Sequence, residues 1–378
     1  MPPHTPCCYR CPICLRTDIS TCEAVITIGI MLRFKGNVAM SEQANNGCAV
    51  DFGVHLIGCA DEAVLPIGMH DYVEALGCCT LVDKTMFIAD MLDCEAPVMA
   101  CCRPEGFGKS MNLSMLKAFL ERPAVGRAGQ ISFADTLIWG ADGGRYRDEY
   151  ACYPVISLDF SGAARRGASV VGVVRDALSG ECARLMPLLE APDLARDKVR
   201  HIERVARGVA SEAEVDSVLG VLIELLEMAC DEQVVLLVDG YDAAWSPSAS
   251  ARGASGAGPA ELLDRVLFDA IATAGHSLRL TCLMGERPGP AEAALSLRGC
   301  SYCLSTPLST RCDRWFGFSD AEVEALLNHA GREEHLDDAR EWLEGYRFGG
   351  AYCSSPARVI GFLDRGCTAP VWVCRLPK

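Results

Sequence analysis

The eight-residue stretch 103–110 constrains the fold of this chain more than any other. It reads Arg-Pro-Glu-Gly-Phe-Gly-Lys-Ser, follows the apolar run 97–102 and opens a segment with helical spacing at 111–121. A strand, a glycine-containing turn, Lys-Ser and a helix in this order are typical of a phosphate-binding loop, because backbone N–H groups and the helix N-terminus then face the phosphates. The sequence therefore predicts a phosphate site at this turn.

Within the predicted loop, two side chains carry the chemistry. Lys109 is placed to neutralise phosphate charge, and the hydroxyl of Ser110 can hold Mg²⁺. The tripeptide 108–110 satisfies the end of the usual pattern G-x-x-x-x-G-K-[ST], but the first glycine of that pattern falls on Arg103. A lone Gly-Lys-Ser also fits an ordinary helix N-terminus, so a second motif is needed to support the phosphate site.

The second motif is the run 233–239, Gln-Val-Val-Leu-Leu-Val-Asp. An unbroken apolar run suits a strand buried on both faces of a parallel sheet, and an acid at its carboxyl end lies where open α/β sheets bind ligands. Asp239 could then hold Mg²⁺ beside Ser110. A plain core strand that ends at a turn is the alternative for this run alone. The order of Lys109, Ser110 and Asp239 along the chain favours a nucleotide site.

Composition limits the remaining function classes. The chain has 378 residues, a length typical of two or three domains. Its formal net charge of −15 argues against broad electrostatic capture of nucleic acid. No apolar run approaches the ~18 residues that a membrane span needs. The 22 cysteines are scattered through apolar runs, which indicates buried reduced thiols and a cytoplasmic location.

The first 39 residues differ in character from the rest of the chain. Cys8, Cys11 and Cys14 are evenly spaced, but no fourth ligand follows at metal-site spacing, so we do not predict a zinc site. The Lys-Gly pair shortly before Met40 must be encoded by a purine-rich tract. This tract lies at about the distance from Met40 at which a bacterial ribosome-binding site would precede a start codon. We therefore expect residues 1–39 to be a disordered or mis-annotated extension, with a start at Met40.

The rest of the pattern predicts an α/β architecture. Strand-like runs alternate with helical periodicity up to about residue 310, and helical patterns follow. We therefore expect an α/β domain at 40–310, followed at 311–378 by a small helical lid or winged-helix-like subdomain. Strands are predicted at 153–160 and 277–284, helices at 70–76, 86–92, 168–189, 213–228, 262–270, 319–327 and 337–343, an exposed helical linker at 192–207, and a flexible loop, either lid or passive linker, at 246–259.

Three charged residues outside these motifs allow more than one interpretation. Arg287, at the end of a later predicted strand, could sense the γ-phosphate or be a surface arginine in a Gly/Pro-rich turn. Asp159 could reach the nucleotide, although a role in a turn fits its position better. Lys84 is expected to be solvated, beside a helix capped by Asp83 or Thr85.

The motifs occur together in one known family. Matching stretches lie at 65–68, 82–85 with 87–88, 103–104, 107–110, 112–117, 153–156, 239 with 241–242, 316–318 with 322–323, and 345–349. In this order they resemble the bacterial AAA-ATPase-like family, whose members commonly precede a PD-(D/E)XK nuclease-like domain. The resemblance implies a P-loop NTPase fold, a three-layer αβα arrangement with a mainly parallel sheet, and ATP with Mg²⁺ as ligands. The family carries arginine where the first Walker glycine would be. The nucleotide contacts predicted here are Arg103, Gly106, Phe107, Gly108, Lys109, Ser110 and Met111, and the predicted metal ligands are Ser110 and Asp239.

The chain departs from the family at the predicted chemistry. Glu105 and Gly106 replace two arginines of the family loop, which should weaken nucleotide binding electrostatically. Gly240 replaces the glutamate expected to position or activate the attacking water. Asp242 could substitute as the base, or it caps or pairs within the turn. Because the sequence ends at Lys378, we expect this chain to lack the nuclease-like domain. Together these features predict ATP binding with weak or absent hydrolysis, and the predicted catalytic residues are Lys109, Asp242 and Arg287.

A second interpretation belongs to a different class of protein. The chain would be a nucleotide-free interaction or scaffold module that retains the P-loop fold and binds a protein partner or itself. Glu105, Gly240 and the loop at 246–259 favour this module, whereas the intact 108–110 and Asp239 favour the ATP site. A third interpretation, a nucleic-acid-processing factor, rests only on the family's usual neighbouring domain and conflicts with the acidic balance.

Overall fold

The computed structural model describes residues 53–58, 65–123, 131–164, 169–245, 258–343 and 345–365. The extension predicted at 1–39, the start at Met40 and most of the loop at 246–259 lie outside these ranges. Within them, no helix is both long and apolar enough to cross a membrane.

A five-stranded parallel sheet forms the centre of the fold. The strands are β1 (Leu56–Gly58), β2 (Thr80–Val82), β3 (Val98–Cys102), β4 (Val155–Asp159), β5 (Val234–Asp239), β6 (Leu278–Gly285), β7 (Tyr302–Ser305), β8 (Tyr346–Phe348) and β9 (Ala351–Cys353). Strands β3 to β7 make the sheet in the order β4-β5-β6-β3-β7, with every neighbouring pair parallel. Strands β1 and β2 form a separate antiparallel pair, as do β8 and β9.

The described residues form helices that cover both faces of this sheet, and a further C-terminal group of helices. They are α1 (Tyr72–Cys78), α2 (Met86–Leu92), α3 (Lys109–Leu120), α4 (Leu137–Gly140), α5 (Val170–Leu185), α6 (Arg196–Ala206), α7 (Glu212–Cys230), α8 (Pro259–Leu263), α9 (Ala270–Ala274), α10 (Pro288–Leu297), α11 (Asp320–His329), α12 (Leu336–Trp342) and α13 (Pro356–Arg365). A π-helical segment, Asp264–Asp269, joins α8 to α9. Short 3₁₀ segments lie at Ala141–Glu149, Ser161–Ala164, Met186–Leu189, Ala243–Trp245, Gly275–Ser277 and Glu333–His335.

The side chains of β3 show how the sheet divides the core. Val98, Ala100 and Cys102 face one hydrophobic cluster, which helices α5 to α10 complete. Met99 and Cys101 face the other, which helices α1 to α4 complete. Successive residues of a strand point to opposite faces, so an unbroken apolar run can only be buried if both faces are covered. The predicted α/β class and the three-layer αβα arrangement with a parallel sheet are therefore confirmed.

A smaller hydrophobic cluster gathers the C-terminal helices. It joins Val323 and Leu326 of α11 to Val359 and Phe362 of α13, with Val82 of β2 against them. A capping box begins α11, since Ser319 and Glu322 cap it reciprocally. The β8–β9 hairpin between α12 and α13 was not predicted from the sequence. The domain boundary at 310 stays a prediction.

The segment predicted as an exposed helical linker at 192–207 is a helix with a buried face. Helix α6 buries Ile202 and Val205 completely or almost completely, and Leu194 just before it is also buried. These residues join the cluster that helices α5 and α7 build. The high proportion of Arg and Asp in this segment concealed an amphipathic pattern, because the apolar residues are few but share one face.

Lys84 is an ion-paired side chain instead of the solvated lysine that the sequence predicts. Its ammonium donates to Glu322 Oε1 at 2.6 Å and to the carbonyl oxygen of Arg314 at 2.9 Å. The two charged side chains are only 11% and 14% exposed. Glu322 also accepts from the backbone N–H of Ser319 at 2.7 Å. The pair therefore connects the start of α11 to the segment before α2.

We expect Lys84→Met to lower the free energy of unfolding by about 2 kcal/mol, because the Glu322 carboxylate would stay largely buried without its cation. Urea denaturation would measure the loss. Lys198→Met is the matched control, since Lys198 pairs with Glu224 but both side chains are more than a third exposed; an exposed pair contributes less than about 1 kcal/mol. Equal losses in the two variants would contradict the prediction.

Candidate functional site

The 103–110 loop connects the central sheet to helix α3. Strand β3 ends at Cys102, and α3 begins at Lys109 after Gly108, whose φ of 76° lies in the left-handed region. Gly106 also has a positive φ, 83°, and its carbonyl oxygen accepts hydrogen bonds from Ser355 Oγ and the backbone N–H of Ala357. Two glycines let the loop turn sharply, and the start of α13 lies against it.

The side chain of Lys109 folds back over this loop. Its ammonium donates to the carbonyl oxygens of Arg103 at 2.8 Å and Pro104 at 2.9 Å. Glu286 Oε1 lies 3.9 Å from the same nitrogen. Burial lowers the pKa of Lys109, and the neighbouring acids, Glu286 first among them, oppose that shift. One cation is therefore held at the centre of the loop.

Ser110 and Asp239 meet as the sequence predicts. The Ser110 hydroxyl donates to Asp239 Oδ2 across the gap between α3 and the end of β5. Burial raises the pKa of Asp239, the Ser110 hydrogen bond opposes the shift, and the charge of Asp159 adds to it. A hydroxyl and a carboxylate beside a phosphate site are the oxygen ligands that Mg²⁺ takes in nucleotide sites. These two residues fit a magnesium ion.

A cavity of about 810 Å³ encloses these groups. At one end lie the loop, Asp239 and the residues that follow β6. At the other end the lining is largely apolar and comes from three parts of the chain: Leu65, Pro66, Leu81, Val82, Phe318, Leu326 and Ile360. A concave site with a polar end and an apolar end suits a small molecule that carries an anionic group and a flat apolar group.

Most of the residues predicted for the site line this cavity. They are Gly106, Phe107, Gly108, Lys109, Ser110, Met111, Asp239, Asp242 and Arg287, and Asp159 lines it as well. Phe107 is nearly fully buried, and its ring packs edge-on against Tyr346 and Phe348 of β8. Its side chain therefore fixes the loop onto the hairpin.

Arg103 requires a correction, because its side chain does not line the cavity with the loop residues. It is completely buried, and Nη1 donates to the carbonyl oxygens of Cys102 and Ser305, both at 2.8 Å. The guanidinium lies 4.9 Å from the ring centre of Phe316 and 5.0 Å from that of Phe348. Its acceptors all lie inside the core, so the charge faces away from the predicted phosphates. Burial lowers the pKa of Arg103.

Asp242 and Arg287 each form hydrogen bonds to the turn that contains the other residue. Asp242 Oδ2 accepts from the backbone N–H groups of Glu286 at 3.1 Å and Arg287 at 2.9 Å. Arg287 Nη1 donates to the carbonyl oxygen of Trp245 at 2.6 Å. The Asp242 side chain therefore pairs with the turn that follows β6, and not within its own turn as one interpretation of the sequence holds. Asp159 Oδ1 accepts from the backbone N–H of Ser161 at 2.8 Å.

Gly240 has a backbone conformation that excludes a side chain. Its φ is 69°, and a Cβ atom added there would lie 2.6 Å from the backbone nitrogen of Ser161 and 2.9 Å from the carbonyl carbon of Phe160. The backbone N–H of Phe160 in turn donates to the carbonyl oxygen of Asp239 at 2.8 Å. The two residues that follow β4 therefore pack directly against Gly240.

Glu286 is the cavity residue that the sequence-based prediction missed. It lies directly after β6, is half-exposed, and contacts Lys109. The available signal was its position, since an acid that follows a buried parallel strand lies at the ligand-binding edge of the sheet.

Two comparisons show which known proteins this chain is similar to. Residues 66–285, more than half of the chain, match the family described as Predicted AAA-ATPase. The chain is also similar to an Azotobacter chroococcum mcd 1 protein described as "Uncharacterized protein in vnfD 5'region". The two are 24% identical over 297 residues, which make up 77% of this chain and 49% of the relative. The chain therefore spans about half the length of this curated relative.

Proposed function

Since the chain belongs to the AAA-ATPase-like family, we propose that it binds ATP with Mg²⁺ in the cavity beside Lys109 and hydrolyses it slowly or not at all. The observation that supports binding most directly is the hydrogen bond from Ser110 to Asp239. It brings the hydroxyl that follows Lys109 together with the acid that ends β5, although 129 residues separate them. Mg²⁺ held there would neutralise phosphate charge.

Two features support slow turnover. Gly240 offers no carboxylate to orient the attacking water, and a Cβ atom added to its backbone would clash with Ser161 and Phe160. The polar end of the cavity also carries more acids than cations, since Glu105, Asp159 and Glu286 line it together with Lys109. Negatively charged carboxylates near the phosphates repel them and weaken the binding of ATP. A protein of this kind would respond to ATP through binding it more than through hydrolysing it.

Calorimetric titration of Mg·ATP into the full chain tests the proposal. We expect saturable binding that Lys109→Ala weakens about 100-fold, because the variant leaves the phosphates without the loop cation. Lys117→Ala is the matched control, since Lys117 lies on the same helix α3 but not in the cavity lining. Folded wild-type protein that takes up no Mg·ATP would refute the proposed function.

One observation favours the second function, a nucleotide-free interaction module. The Lys109 ammonium already contacts two backbone carbonyl oxygens and lies near Glu286, so its charge is partly satisfied within the protein. A module of this kind would keep the fold and bind a protein partner or a second copy of itself. The same titration separates the two functions, because only the first predicts heat that depends on Lys109.

A further inference from the structure

The end of β6 places one carboxylate between the two halves of the site. In the sheet, β6 lies between β3, which feeds the loop, and β5, which ends at Asp239. The last residues of β6 are bonded to both sides: Gly285 accepts from the backbone N–H of Arg103, and Met284 accepts from that of Gly240. Glu286 follows immediately, and its Oε1 lies 3.9 Å from Lys109 Nζ.

Three other carboxylates of this region already accept hydrogen bonds, and Glu105 lines the cavity together with Glu286. Asp239 accepts from Ser110, Asp242 accepts from two backbone N–H groups, and Asp159 accepts from Ser161. A general base needs a free lone pair within reach of the water that it deprotonates. The Glu286 carboxylate is 53% exposed and lies 3.9 Å from Lys109 Nζ, at the distance limit of an ion pair. It can therefore turn within the cavity.

We propose that Glu286 is the general base for ATP hydrolysis in this chain, in the role that the absent side chain at Gly240 cannot fill. The inference rests on the proposed function. Glu286 accepts a proton from water, the water oxygen forms a bond to the γ-phosphorus, and the bond from that phosphorus to the β,γ-bridging oxygen breaks. The products are ADP and inorganic phosphate, and Glu286 returns its proton to solvent.

The geometry supports this assignment in two ways. Lys109 marks where the phosphates bind, and Glu286 is the acid that lies against its ammonium, so a bound γ-phosphate would take the place of that contact and leave the carboxylate beside it. Asp242 holds the backbone N–H of Glu286 at 3.1 Å, which fixes where the side chain starts. Asp242 thus acts as a positioning residue.

Phosphate release under single-turnover conditions, together with Mg·ATP titration, tests Glu286→Gln in the full chain. The hydrolysis rate is expected to fall about 100-fold, the size typical of a lost general base. Mg·ATP binding is expected to stay as tight or become tighter, because a negative charge near the phosphates is removed. Retained binding also shows that the variant is folded. Glu292→Gln makes the same change on the exposed face of α10, and we expect it to leave the rate unchanged.

Each other outcome overturns a defined part of this account. Equal rates for wild type and Glu286→Gln would overturn the assignment of the base, as would a rate that falls only in Glu105→Gln. Wild-type protein that binds Mg·ATP but releases phosphate no faster than Lys109→Ala would also overturn it, while leaving the proposed binding function intact. Folded wild-type protein that does not bind Mg·ATP would overturn both proposals.

Discussion

Arg103→Ala is expected to lower the free energy of unfolding by about 4 kcal/mol, the range found when one partner of a buried polar network is removed. The variant loses two hydrogen bonds to the carbonyl oxygens of Cys102 and Ser305, a third to Ser305 Oγ at 3.0 Å, and the packing of the guanidinium on Phe316 and Phe348. The carbonyl groups stay buried without those donors, and a cavity remains. Urea denaturation of the variant would measure the loss.

Two further variants separate burial from charge. Arg103→Met keeps most of the apolar volume and is expected to recover part of the loss, whereas the orphaned acceptors remain. Arg347→Ala is the control, because Arg347 also lies over an aromatic ring, that of Tyr352, but is exposed; its removal should cost less than about 1 kcal/mol. A loss below about 1 kcal/mol for Arg103→Ala would show that the buried guanidinium contributes little.

The location of Arg103 changes what the first position of the loop does. In the usual phosphate-loop pattern a glycine occupies it, whereas here a long side chain leaves the loop and enters the layer that contains Ser305 and Phe348. The Arg103 carbonyl oxygen meanwhile accepts from Lys109. Arg103 thus joins the 103–110 loop, strand β7 and the C-terminal hairpin. This structural role explains why an arginine can occupy position 103 without contacting a phosphate.

The fold was largely predictable because its signals are local. The run at 233–239 predicts a buried parallel strand, and β5 covers Val234–Asp239. The spacing of Met115, Leu116 and Phe119 predicts a helix with one buried face, and α3 buries all three. Long apolar runs and 3.6-residue periodicity directly reflect which residues are buried against the sheet. They therefore predict the strands and helices that the structure contains.

The contacts that the sequence did not reveal all depend on distant residues. Arg103 has acceptors about 200 positions away, and Lys84 finds Glu322 across 238 positions. Strand β7 and the β8–β9 hairpin are short, four and three residues per strand, so they carry little periodic signal. Side-chain partners of this kind follow from the three-dimensional arrangement and from no local pattern. The same holds for Glu286, whose neighbour Lys109 lies on a different element.

Gly240→Ala is expected to lower the free energy of unfolding by about 3 kcal/mol, from two sources. A non-glycine residue at a φ of 69° is strained by about 1 kcal/mol or more. The added methyl group would also lie 2.6 Å from the backbone nitrogen of Ser161, and backbone cannot move aside as a flexible side chain can. Either the turn after β5 or the end of β4 must shift.

Gly208→Ala isolates the first source, the backbone strain. Gly208 has the same φ of 69°, but a Cβ atom there would have no atom within 4 Å, so the variant carries the backbone strain without the clash. We expect Gly240→Ala to lose about 2 kcal/mol more than Gly208→Ala in matched urea denaturations; equal losses would show that the end of β4 yields freely. If the difference is found, Gly240→Glu should unfold more easily and should not speed phosphate release. That result would agree with the proposal that Glu286, which follows β6, supplies the carboxylate for hydrolysis.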